Sequence, residues 1–197
     1  QYGFNLGIQT MIGLPGDSRE KDMYTAEKTI SLKPEIVRIY PTLVIRETYL
    51  EKLYKKGEYV PLNLEEAVDI CSELLELYNS NGINVIRVGL QPTDNISTDG
   101  DVIAGPFHPA FRQLVESRVA LKNIEKLIVR EKLHEENKLV IKTGEKNISN
   151  IVGQKRGNIY YIKNRFGFKN VVLNTDKDMN DEILIYKRES NCWLKCN

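Results

Sequence analysis

The pattern with the clearest chemical use is Gln9-Thr10-Met11-Ile12-Gly13-Leu14-Pro15-Gly16-Asp17. An apolar run carrying one amide ends in a glycine–proline turn, and a helix opens directly behind it. Glycine permits positive φ and lets a ligand approach the backbone, while Pro15 fixes the turn. A tight strand-to-helix connection needs the same residues, so the motif supports either reading. Gln9 lies in a run that otherwise reads as buried, and its amide must find partners in a neighbouring strand or in a ligand. Arg38 and Arg87 pose this question more sharply, because each sits inside an apolar run and an unpaired buried guanidinium is very costly. They would pair with internal carboxylates, grip a ligand carboxylate or phosphate bidentately, or turn to solvent by strand alternation.

His108 follows Gly105-Pro106-Phe107 at the end of a long turn-rich stretch. A histidine there serves as a cap, a surface group or a catalytic group. No partner arrangement for a nucleophilic triad accompanies it. No HxxxH, HExxH or paired CxxC spacing marks a zinc site. Cys192 and Cys196 are separated by three residues, but a third cysteine at cluster spacing is missing, so two free thiols are the better reading. Gly153-Gln154-Lys155-Arg156-Gly157-Asn158 stands near a helix start, where backbone N–H groups and two cations suit a phosphate. Tyr160, Tyr161, Lys163 and Arg165 follow, an interleaving of aromatic and basic residues compatible with single-stranded RNA. A surface helix with two half-buried tyrosines fits the same residues.

The elements that position these groups follow from periodicity and turn chemistry. A strand is expected over residues 4–12, then a helix capped by Asp17 or Ser18 and running to about 32, with Met23, Ala26, Thr29 and Ile30 inward. Pro34 stops that helix, and a strand over 36–40 ends at Pro41. A short helix over 47–55 stops at Gly57, and the longest helix runs over 63–81, its apolar residues at 3-and-4 spacing. Asn81-Gly82 turns the chain into a third strand over 83–90. The alternation argues for parallel βα units. The stretches Val37-Arg38-Ile39-Tyr40-Pro41-Thr42 and Ile86-Arg87-Val88-Gly89-Leu90-Gln91-Pro92-Thr93 echo one another. The shared register predicts that Gln9, Arg38, Tyr40 and Arg87 converge on one cavity at the C-terminal edge of the sheet. After the 93–107 loop, a helix from about 109 to 122 or beyond leads into a smaller α+β region. That region comprises a strand over 138–142, a helix over 151–164 left at Gly167, and strands over 170–174 and 182–186.

Charge divides the chain. Residues 1–118 carry 12 Lys+Arg against 17 Asp+Glu, whereas residues 119–170 carry 12 against 5. The second segment suits a polyanion, or is simply a solvated basic face. No apolar run reaches the ~20 residues needed to span a bilayer, which argues against a membrane partner. Three cysteines without a disulfide framework point to a reducing compartment, the cytoplasm. The sequence opens inside what reads as a core strand, which implies a piece of a larger parent. An unpaired strand over 4–12 would offer an edge for oligomerisation.

The stretch 9–17, the stretch Val37 to Arg46, the stretch Val85 to Thr93, and Ala104-Gly105-Pro106-Phe107-His108-Pro109-Ala110-Phe111 together resemble radical S-adenosylmethionine enzymes of the elongator catalytic-subunit type. The likeness is to the shorter bacterial members without an acetyltransferase domain. The glycine–proline turn is also similar to that of oxygen-independent coproporphyrinogen III oxidases. The resemblance covers residues 3–118 and extends to 153–158. It implies an α/β fold: later βα units of a partial, TIM-like radical-SAM barrel over 1–118, then a small basic α+β domain over 119–197. It further implies a 4Fe–4S cluster and S-adenosylmethionine in the parent, a 5′-deoxyadenosyl radical, and an RNA (tRNA) substrate. Gln9, Gly13, Arg38, Tyr40 and Arg87 would then be cofactor-binding, and Arg46, His108, Lys155 and Arg156 would face substrate or RNA. The cluster signature Cys-x3-Cys-x2-Cys is missing from these residues, so this chain alone is expected to hold no cluster and to be inactive. The competing readings are a non-catalytic nucleic-acid-binding module and a cluster-independent βα enzyme acting on an anionic small molecule.

Overall fold

The computed structural model describes residues 3–93, 96, 100–133 and 137–196. The chain divides into two compact units, Gln1–Val115 and Glu116–Asn197.

In the first unit, strands β1 (Gly7–Ile12), β2 (Ile36–Pro41) and β4 (Asn84–Val88) form one parallel sheet in the order β1-β2-β4. The connections are helical, as parallel neighbours require. Helix α1 (Arg19–Ser31) starts at Ser18, whose hydroxyl accepts from the Lys21 N–H. Helix α2 (Tyr49–Lys55) starts at Thr48 in the same way. Helix α3 (Leu64–Ser80) opens with a capping box, in which Asn63 and Glu66 each accept from the other's backbone N–H. Helices α1 and α3 pack on each other and on the sheet, burying Ala26, Ala67, Cys71, Leu74 and Tyr78. One expectation for α1 needs correcting: Asp22 is buried there, while Met23 and Ile30 are only partly covered.

The long loop after β4 contains structure that periodicity did not reveal. Strand β3 (Val44–Ile45) pairs antiparallel with β5 (Val102–Ala104), a ribbon too short to show a repeat in the sequence. Residues 94, 95 and 97–99 of the expected loop lie outside the described residues. Three parallel strands form an open sheet, and among the described residues nothing closes them into a barrel.

The second unit begins within helix α4 (Phe111–Arg130). Strands β6 (Lys138–Gly144), β7 (Asn170–Asp176), β8 (Ile183–Lys187) and β9 (Cys192–Lys195) form a sheet in the order β7-β6-β8-β9. Strands β6 and β7 are parallel; the remaining pairs are antiparallel. Residues 192–195, read from sequence as part of a tail with free thiols, are therefore an edge strand. The single helix expected over 151–164 is two, α5 (Ile148–Val152) and α6 (Gly157–Phe166), separated by a turn at 153–156. Gly153 has φ 71° with the Asn158 side chain against it, and Lys155 and Arg156 are left-handed. Three successive turns of helix cannot pass through those angles, which is why the apolar period alone overruns the break. Ile124, Ile128, Ile141, Ile151, Ile162 and Ile185 make the core of this unit.

Candidate functional site

The parallel sheet is covered on one face only. Val37, Ile39, Val85 and Val88 point into the helical layer, whereas Gln9, Met11, Arg38 and Ile86 are exposed. Parallel sheets are ordinarily buried on both faces, so a bare face carrying an amide, a guanidinium and a tyrosine is unusual. Gln9 pairs with Arg38 in the β1–β2 register, and Met11 pairs with Tyr40. Arg38 pairs in turn with Arg87. Three candidate side chains thus share one level of the sheet, with Tyr40 two residues further along the same face.

The expected common cavity does not follow from this register. Gln9 and Arg38 line a concavity of about 210 Å³ with Gly7, Ile8 and Ile36. Arg87 lines a different one, of about 260 Å³, with residues 88–92 and 109–113. The β2–β4 register slips between Val37 and Arg38, which skips Ile86 and sets Arg87 opposite Arg38, yet Arg87 lines the concavity beside the start of α4. Gln9 and Arg38 also lie mid-strand, not at the C-terminal edge.

Gly13 has a structural explanation. Its φ is 73°, and a Cβ there would stand 2.8 Å from the Leu62 side chain. The Tyr59 hydroxyl donates to the Gly13 carbonyl at 2.6 Å, and Lys21 Nζ donates to the Gly16 carbonyl at 2.5 Å. The group that approaches this glycine closely is therefore Leu62. Behind the turn, Asp22 is 5% exposed, and its carboxyl is pushed up to about 7, first by burial and then by Asp17. The Cys71 thiol is raised as well, by burial and by the nearby Asp22 charge. Sequence reasoning missed Asp22, Tyr59 and Leu62; the one available signal was an acidic residue at an inward helical position.

Arg46 and His108 hold loops together. The Arg46 backbone N–H donates to the Asp101 carbonyl at 2.8 Å, and its Nε lies 3.6 Å from the Asp101 carboxylate. His108 Nδ1 accepts from the Ala110 N–H at 3.1 Å, so the imidazole caps the entry to α4. Lys155 and Arg156 are exposed side by side at the α5–α6 break.

A 4Fe–4S cluster needs cysteine thiolates that converge. Cys71 is buried in α3, while Cys192 opens β9 and Cys196 follows its last residue. Burial pushes the Cys196 thiol up to about 12. Among the described residues no group of three His, Cys, Asp or Glu could hold a metal ion. Among the described residues the three thiols therefore do not fit a cluster. Gln9 and Arg38 do suit the hydroxyl and carboxylate groups of a nucleoside–amino-acid cofactor, since an amide both donates and accepts and a guanidinium forks onto a carboxylate.

An open parallel βα sheet with polar residues on its bare face defines the class: an α/β protein whose strands present an amide and a guanidinium on one face. Residues 34–120 match the Radical_SAM C-terminal domain, and the chain is similar there to radical-SAM proteins of the elongator-like type. It is 38% identical to a tRNA uridine(34) acetyltransferase of Methanocaldococcus jannaschii, over 36% of this chain and 14% of that protein. It is 36% identical to the protein of that name from Dehalococcoides mccartyi, over 31% and 14% of the two chains. Elongator complex protein 3 of Homo sapiens is 31% identical, over 38% and 14%. The aligned stretch thus spans about a seventh of each of these relatives.

Proposed function

We propose that this chain is the later part of a radical-SAM enzyme that modifies tRNA, with S-adenosylmethionine held against the bare face of β1, β2 and β4. The observation that carries this reading is the exposed Gln9–Arg38 pair on a parallel sheet whose second and third strands lie in the stretch similar to the Radical_SAM C-terminal domain. The names of the relatives, tRNA uridine(34) acetyltransferases, support a tRNA substrate. Together, cluster and S-adenosylmethionine supply a carbon-centred radical able to abstract hydrogen from an unactivated position. Gln9 and Arg38 would orient the cofactor's polar groups, and Tyr40 would shield the same face from water. The cluster ligands belong to other parts of the parent. The open edge of β1 is where a further parallel strand of that parent would pair, and a second copy is the alternative occupant. The cytoplasm is the compartment this reading assigns, consistent with three free cysteines.

The test is the parent protein, purified anaerobically from its complete coding frame. Cluster absorbance, S-adenosylmethionine-dependent release of 5′-deoxyadenosine, and at least tenfold weaker S-adenosylmethionine binding in Arg38→Ala are expected. A parent without a Cys-x3-Cys-x2-Cys triplet, or one that binds the cofactor equally well without Arg38, would overturn the proposal.

A further inference from the structure

The second unit lies mostly beyond the family match and carries its own surface chemistry. It holds 17 Lys+Arg against 11 Asp+Glu, an excess that residues 1–115 reverse. Between α4 and α6 lies an open groove of about 490 Å³, lined by Lys122, Glu125, Lys126, Val129, Arg130 and Arg165. Four cations and one carboxylate make its rim. Its floor is apolar, with Val129 58% exposed.

Arg165 is held before any ligand arrives. Its Nε lies 3.3 Å from Glu125 Oε1, and its Nη1 donates to the Tyr161 hydroxyl at 2.5 Å. The guanidinium carbon stands 5.7 Å from the Tyr161 ring centroid and 5.6 Å from that of Phe166. Fixing a long side chain in the free protein removes most of the entropy that binding would otherwise cost. A fixed guanidinium plane beside an exposed tyrosine is a surface on which an unpaired base stacks, while lysines on the rim meet the phosphates.

We infer that the α4–α6 groove binds a single-stranded RNA segment, its bases stacked on Arg165 and Tyr161 and its phosphates on Lys122 and Lys126. The inference rests on the reading that the parent acts on RNA, and it moves the contact away from the Lys155–Arg156 turn that sequence favoured. An acidic amphipathic helix is the competing occupant, but it needs a row of apolar anchoring sites, and the groove exposes only one apolar side chain among its lining residues.

The test measures binding of the 197-residue chain to a fluorescent oligouridylate and to a tRNA transcript across salt concentrations. Lys122→Ala/Lys126→Ala should lower the slope of log affinity against log salt by about 1.4, at roughly 0.7 per phosphate contact. Arg165→Lys keeps the charge and loses the plane, so it should leave the slope unchanged yet weaken binding by about fivefold or more. Lys155→Ala/Arg156→Ala, a charge-matched change at the other end of α6, should have the smaller effect. Thermal melts show that each variant is folded. RNA binding that responds to the turn variant as strongly as to the groove variant, or that ignores Arg165→Lys, would overturn the groove and leave the RNA reading standing. Failure of the unaltered chain to bind either RNA at low salt would overturn both for this unit. Capture of an acidic amphipathic peptide in preference to oligouridylate would reassign the groove to a protein partner.

Discussion

Arg38 and Arg87 are register partners on neighbouring parallel strands because the β2–β4 ladder slips by one residue beside Arg38, yet they line different concavities. Two like charges directly opposite repel, which favours side chains that turn to separate concavities. Arg38 is left beside Gln9 as the cation of the bare face. Arg87→Ala should therefore leave S-adenosylmethionine binding by the parent within about twofold of the unaltered protein, whereas Arg38→Ala should not. Isothermal titration reads both; equal losses would mean that the two guanidinium groups share one ligand.

Gly13 is expected to matter for packing and not for ligand approach. Gly13→Ala combines a φ of 73° with a Cβ 2.8 Å from Leu62, and should cost about 2 kcal/mol of stability. Leu62→Ala in the same chain removes the collision but not the φ penalty, so a double-mutant cycle in urea should return about half of that loss. Strict additivity would show that Leu62 is not the obstacle.

The Asp22 carboxyl, pushed up to about 7, makes stability fall as pH rises. Between about pH 4 and pH 7 the folded chain keeps a proton that the unfolded chain has already lost. The full displacement would be worth at most ~4 kcal/mol. Asp22→Asn should thus gain stability relative to the unaltered chain between pH 4.5 and pH 8, as read by urea unfolding at both values. A difference that is flat with pH would mean that Asp22 titrates normally.

At the α5–α6 break, Arg156 has φ 62° and caps α6 with no side-chain hydrogen bond. Left-handed backbone costs a non-glycine residue ~1 kcal/mol, and a β-branched one more. Arg156→Gly should raise the melting temperature slightly or leave it unchanged, while Arg156→Val should lower it by several degrees. Differential scanning calorimetry separates the two. Identical shifts would show that the turn relaxes freely.

Anaerobic reconstitution of the 197-residue chain with iron and sulfide should give neither a stable 4Fe–4S cluster nor 5′-deoxyadenosine. Cys71 is buried in α3, and Cys192 and Cys196 lie at the start of β9 and just past its end in the other unit. Near-stoichiometric cluster with S-adenosylmethionine cleavage would contradict this.

Local chemistry determined a large part of this protein without reference to its tertiary structure. Ser18, Asn63 and Gly167 mark helix ends by hydrogen bonding and backbone freedom within a few residues, so α1, α3 and the exit of α6 were legible. The alternation of strands and helices to residue 88 and the radical-SAM likeness were legible for the same reason: each is carried by contiguous residues. What required the folded chain was contact between distant residues. The β3–β5 ribbon joins segments some sixty positions apart, and β9 became a strand only because β8 lay beside it. The bulge that sets Arg87 opposite Arg38 is a property of two strands and is written in neither. Leu62 beside Gly13, and Arg165 locked by Glu125 from another helix, are likewise meetings that only tertiary packing makes. The sequence could name the residues able to do chemistry; which of them share a cavity was decided by register and by the side chains pressed against them.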